Sequence, residues 1–332
     1  PEADKNDPEA DKNDPEADKN DPEADQKNQN DQKNQNNQSD QSGQKNQNKD
    51  SEDADAGIMT YEAPAPTTLT SAVATAVRNV IKIINKVTGA ENALNITLDN
   101  ATIKSDSKAA MKISGEGEVN IELNGSNVLT SGQAHAGLEK NDEDSKGRKD
   151  SSGRLTIRDD LRDDGTAKTD EEKKAEEDAV AAGESGDAVK DVGSLTATGS
   201  SYAGDGGAGI GGGCTSTSSI VINGGKITAT GGEGAAGIGG GSFGSGGKVN
   251  ENDPDDRSQT ITINGGNIEA AGIGGGSAIY GPNGAVTITG GHIKSEGKYG
   301  AGIGGGWGDV YGGRGDVLIT GGVIEAEGLR GA

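Results

Sequence analysis

The chain has 332 residues, 58 of them Gly, with 29% hydrophobic and 2% aromatic residues and a formal net charge of −23. Without clustered Lys and Arg to neutralise phosphates, nucleic acid is excluded as an expected partner. No stretch approaches the roughly 18 apolar residues of a membrane span. Averages of this kind describe disordered chains, but here they mix two unlike regions.

The first region, residues 1–66, is read as a disordered arm. Pro1–Asp7, Pro8–Asp14 and Pro15–Asp21 are the same heptapeptide, PEADKND, followed by a Gln/Asn/Lys-rich tract. Seven is the coiled-coil period, but the unit offers only Ala as an apolar residue, and a proline every seventh position breaks helices. A solvated spacer is the expectation.

The second region, residues 67–332, is read as one folded domain. Its first element is expected to be an amphipathic capping helix over about residues 70–88. Leu69, Val73, Val77, Val80, Ile81 and Ile84 keep helical spacing, Thr70 or Ser71 serves as N-cap, and Gly89 as a stop.

Beyond it, short alternating strands recur: Asn95–Asp99, Asn120–Asn124, Arg154–Ile157, Ser219–Asn223, Thr260–Asn264, Ala285–Thr289 and Asp316–Thr320. A second aliphatic column follows each turn: Ile103, Val128, Leu195, Ile227, Ile268, Ile293 and Ile324. A third runs through Met111, Leu138, Ile210, Ile238, Ile273 and Ile303, the last four at the centre of a Gly-Ile-Gly-Gly-Gly motif. Three aliphatic columns recurring at about 25 to 40 residues specify an all-β solenoid. A right-handed parallel β-helix of about seven coils is expected, the hand following that of β-crossovers. Asn124, Asn223 and Asn264 suggest an asparagine ladder, and their turns place Gly where φ is positive. A globular sandwich would need strands on two faces and would not repeat the columns. The chain stops inside a repeat at Ala332, and so is read as truncated there.

One interval is longer. Residues 159–192 form an acidic insertion with a helix-prone stretch over Asp170–Ala182, read as a solvated excursion at a turn.

Chemistry is sparse. Gly204-x-Gly206-x-x-Gly209 matches a dinucleotide fingerprint in letters only, since no helix follows it. His135 and His292 fall on different repeats, and no Ser/His/Asp set can be drawn from spacing. Cys214, the single cysteine, reads as incidental. Glu251, Asp253, Asp255 and Asp256 put four carboxylates in one loop, a donor set suited to Ca2+. Phe243, Tyr280, Trp307 and Tyr311 each follow a glycine motif closely, and equivalent positions of a solenoid share one side, so these rings are candidates for stacking on sugars.

The combination of Ile-Thr-Ile strands, Gly-Gly turns and Ala-Gly-Ile-Gly-Gly-Gly resembles a family of secreted or cell-surface parallel β-helix proteins of Gram-positive anaerobic bacteria, similar in fold to pectate lyases. The upstream order Ile96–Leu98, Ala110–Ser114, Val119–Leu123 and Ala136–Leu138 matches as well, so the resemblance covers Ala93 to Gly328 apart from the insertion. It implies an extracellular or cell-surface, non-catalytic module that binds a polysaccharide, a cell-wall or a host glycan. A structural or adhesive spacer and a polysaccharide lyase or hydrolase are the alternatives, because fold does not fix function.

Overall fold

The computed structural model describes residues 59–61, 67–70, 81–144, 153–248, 252, 259–280, 282–298 and 300–329. Residues 1–58, with the heptapeptides, lie outside them, but the disordered arm expected over residues 1–66 does not extend that far, because Met59–Tyr61 pairs with Ile81–Ile83 as a strand. Short strands of the described residues assemble into three large sheets of eight, eight and seven strands, and every neighbouring pair within each is parallel. The chain visits them in turn: a strand of the ITI sheet (named for its Ile-Thr-Ile strands), then one of the middle sheet, then one of the glycine sheet. Each such circuit is one coil.

Alternating side chains explain why the coils stack. In the ITI sheet Ile96, Ile121, Ile157, Ile222, Ile263, Ile288 and Ile319 stand in one register. In the glycine sheet Ile81, Met111, Leu138, Ile210, Ile238, Ile273 and Ile303 do the same. Leu195, Ile227, Ile268, Ile293 and Ile324 form the middle column. One coil cannot bury these faces alone, but the stack joins them into a single core running from Ile83 to Ile293. The coil built from Gly315–Ile319 and Val323–Gly328 continues the columns, with Val317 at 39% and Ile319 at 50% exposure.

Three expectations need correction. Ile81–Ile84 is a strand, not the end of a capping helix; its partners are Met111–Ser114. The heptad-like spacing that suggested a helix there also suits alternation, since Ile81 and Ile83 are two apart, and pairing decides the outcome. Residues 71–80 of the expected helix lie outside the described residues. Val128 does not join the middle column: Asn127 pairs with Leu195, and Leu129 pairs with both Ile103 and Ala197. The buried Asn127 amide is satisfied across coils, accepting from Ala101 N (2.8 Å) and donating to Asn124 O and Ser194 O (3.0 Å each). The asparagine ladder is also shifted. Asn264 Nδ2 donates to Asn223 Oδ1 (2.9 Å) and Thr289 Oγ1 donates to Asn264 Oδ1 (2.7 Å), whereas Asn124 stands opposite Asp99.

The insertion is folded rather than a free excursion. Its helix, Asp170–Ala181, begins at a capping box in which Thr169 and Glu172 bond reciprocally, and Arg162 grips both Glu172 oxygens at 2.6 Å. The helix lies on the middle sheet. Glu177 accepts from Gly266 N and, through its carbonyl, from Asn267 Nδ2 (2.8 Å), while Asp178 Oδ1 meets His292 Nε2 at 3.0 Å.

Candidate functional site

Each coil turns from the glycine sheet back to the ITI sheet at one corner, where the recurring glycines sit. In the first Gly after each Ile, φ is 135° at Gly211, 129° at Gly239, 133° at Gly274 and 124° at Gly304. A Cβ at Gly274 would come within 1.9 Å of Gly304 O. The motif is thus a backbone-on-backbone contact between coils, and the recognition chemistry of the corner belongs to the residues that follow it.

Phe243, Trp307 and Tyr311 follow it among residues whose side chains are described. Phe243 is 45% exposed, adopts φ 63° and donates its N–H to Ser277 O (2.9 Å). In the next coil Ala278 N donates to Trp307 O (3.0 Å). The pairing sets Phe243 opposite Ala278 and Ala278 opposite Gly308, so Trp307 lies two coils beyond Phe243 and one residue out of its register. Trp307 is half-buried. Tyr280 and Tyr311 are register partners in a short outer parallel pair, Ala278–Tyr280 with Gly308–Tyr311, and Tyr311 is 70% exposed. The four acidic candidates Glu251, Asp253, Asp255 and Asp256 lie outside the described residues. Among the described residues no group of three His, Cys, Asp or Glu is arranged to hold a metal ion.

The candidate nucleophile and bases are tied up elsewhere. Burial and the neighbouring Asp205 push the Cys214 thiol up to about 11, so it stays protonated near neutrality. His135 Nδ1 lies 2.6 Å from Glu139 Oε2. Burial opposes charge on Glu139, but His135 and Lys112 outweigh it and hold the carboxyl below its usual range. His292 pairs with the insertion helix, far along the sequence from His135.

Two features escaped the sequence. The first is a buried ionic knot at the root of the insertion. Lys168 Nζ, its side chain wholly buried, donates to Asp159 Oδ1 (2.9 Å), Glu176 Oε2 (2.8 Å) and Asp191 O (2.7 Å). Asp159 Oδ2 also accepts from Gly193 N (3.1 Å), so one carboxylate ties both ends of the insertion together. Burial raises Asp159 to about 7 despite Lys168; burial also works against the Lys168 charge, but its bonds to Glu176 and Asp159 prevail and raise it. Beside it, Glu122 accepts from Asp160 N (2.6 Å) and Leu161 N (2.8 Å), with Arg158 Nε at 3.1 Å.

The second feature is a groove of about 510 Å³ over the middle sheet, with Val180 and Ala181 of the helix as one wall. Its floor is the outward face of four consecutive strands, and it lies across the core from the aromatic corner.

A family model described as a beta helix repeat matches residues 220–242, 261–277 and 286–307. Each matched stretch leaves an ITI strand, crosses the middle sheet and ends at the glycine corner. The fold is a parallel β-helix. No curated protein and no solved structure matches the chain. The β-helix assignment accounts for the columns, the glycines and the tolerance of the insertion, and it leaves the ligand to be argued from the surface.

Proposed function

We propose that this β-helix is a non-catalytic, extracellular or cell-surface module that binds a polysaccharide at the corner following the glycine motifs. The observation that carries the reading is the exposure of Phe243 (45%) and Tyr311 (70%) in the segments that follow two of the glycine motifs, with Trp307 half-buried in the second of them. Exposed rings following the turns of a solenoid suit stacking on the sugars of an extended glycan. The resemblance to secreted β-helix proteins supports the same class and setting. Calcium is proposed at the loop carrying Glu251, Asp253, Asp255 and Asp256, which follows Phe243 in sequence and offers hard oxygen donors.

A glycan array probed with and without chelator tests the reading. Binding is expected in the parent, and its chelator-sensitive part is expected to be lost in a Phe243→Asn, Trp307→Ala variant, Asn being chosen because it tolerates the positive φ at that position. Calcium is expected to raise the melting temperature, since a ligand of the folded state alone adds stability. Absence of any glycan signal at millimolar ligand would make the module a spacer, and release of unsaturated sugars would make it a lyase.

A further inference from the structure

We infer that the groove over the middle sheet is a second binding site, built for an extended, uncharged, polyhydroxylated chain such as a neutral oligosaccharide. It stands on geometry independent of the aromatic corner. Two outward rows pave the floor. Nearer the helix run Lys226, Asn267, His292 and Val323; beyond them run Thr228, Glu269, Lys294 and Glu325, each residue in register with the next. Four strands at the usual spacing make a floor about 14 Å long, lying along the solenoid axis. A volume of about 510 Å³ falls within the range of small-ligand sites.

The polar groups divide into those that build the groove and those left to face it. Asn267 and His292 are spent on the wall, bonded to Glu177 and Asp178 of the helix. Lys294 leans toward Glu296 at 3.1 Å, and the charges of Glu296, Glu325 and Glu269 keep its ammonium above the usual range. The side chains of Lys226, Thr228, Glu269 and Glu325 make no hydrogen bond or salt bridge among the described residues; their backbones belong to the ladder. They offer a cation, a hydroxyl and two carboxylates spaced two strands apart, with Lys294 between the carboxylates.

The order of charges selects the ligand. A polyanion would lie against Glu269 and Glu325, and a polycation against Lys226 and Lys294, so each meets like charge within one strand spacing. A neutral chain of hydroxyls meets neither penalty. Its O–H groups donate to Glu269 and Glu325 and accept from Lys226 and Thr228, while its C–H faces rest on Val180, Ala181 and Val323. Binding along the axis also explains why the wall is a helix fixed to the floor at two points: a preformed groove loses less freedom when it is filled.

The experiment uses the full chain and a panel of neutral tetrasaccharides, β-1,4-linked glucose, xylose and mannose and β-1,3-linked glucose, with oligogalacturonate as the charged comparator. Affinity is read by calorimetry and the site by hydrogen exchange. A neutral member is expected to bind and to slow exchange over 226–230 and 292–297. The Glu269→Ala, Glu325→Ala variant, changed only at exposed strand positions, is expected to keep its melting temperature and to lose on the order of tenfold in affinity. The Phe243→Asn, Trp307→Ala variant is expected to retain the protection over those strands. The inference is overturned if no neutral member binds at millimolar concentration, if oligogalacturonate binds more tightly, or if the double Ala variant binds like the parent. Loss of binding only in the aromatic variant would uphold the corner and remove the groove; the reverse result would uphold the groove alone.

Discussion

Gly274→Ala combines backbone strain with a backbone clash at the glycine corner. At this position φ is 133°, and an added Cβ would sit 1.9 Å from Gly304 O and 2.9 Å from Gly304 C, both backbone atoms of the next coil. Neither can rotate away as a side chain would, so the coils must part or the turn must rebuild. Strain at such a φ costs about 1–3 kcal/mol, and overpacking typically about 1–3 kcal/mol more. Together they predict a loss of about 2–6 kcal/mol, which lowers the urea midpoint by about 0.7–3 M at slopes of about 2–3 kcal/mol/M. Three companions separate the causes. Gly275→Ala has no positive φ but would meet Pro282 O at 2.5 Å, Gly165→Ala has φ 82° with nothing within 4 Å, and Gly312→Ala has neither problem. The expected order of damage in urea melts followed by circular dichroism is Gly274, then Gly275 and Gly165, then Gly312 with almost none. A Gly274→Ala protein melting with the parent would show that the coils do not touch at this column, and the stacking register would be wrong.

The ionic knot gives two further outcomes. Lys168→Met leaves Asp159 and Glu176 buried without their ammonium, a change expected to cost about 3–5 kcal/mol, confined to the insertion; limited proteolysis should cut within 159–192 while exchange over 226–230 stays slow. Burial pushes Asp159 up to about 7 when folded, from an ordinary 3.8, so the folded state holds the proton more tightly and this group's contribution to stability is present at low pH and lost as pH rises from about 4 to about 7. Asp159→Asn keeps an acceptor for Gly193 N and should flatten that decline by a few kcal/mol; identical pH profiles of the two midpoints between pH 4 and pH 7.5 would refute it.

Most of the core was legible because its signal is repeated. Ile210, Ile238, Ile273 and Ile303 were assigned together by their identical neighbours, and all four stand in register. Where a coil is unlike its neighbours, sequence spacing loses its reference. Asn127 occupies a core position that an aliphatic count passes over, so the count falls on Val128 instead; only the hydrogen bonds to Ala101, Asn124 and Ser194 explain a buried amide there. Ile81 and Ile84 fit helical spacing as well as Ile81 and Ile83 fit strand spacing, and the partner at Met111–Ser114 lies about thirty residues away. The helix Asp170–Ala181 was visible from its composition, but its place on the middle sheet depends on Glu177 and Asp178 finding Gly266, Asn267 and His292, about 90 to 114 residues on. The groove was illegible for that reason: its two sides come from distant parts of the chain.

The insertion has a consequence for how such a chain can change. It leaves the ITI sheet after Arg158 and joins the middle sheet at Ser194, yet Ile157 still faces Ile222 and Leu195 still faces Ile227. The ladder thus treats an excursion of more than thirty residues as it treats Asn223-Gly224-Gly225. That corner works as a socket: any segment whose ends return to the separation set by Asp159 and Gly193 can be seated there, and each would give the same floor of Lys226, Glu269 and Lys294 a different wall. The rigid stack supplies the half of the groove that stays constant, and the socket supplies the half that is free to vary.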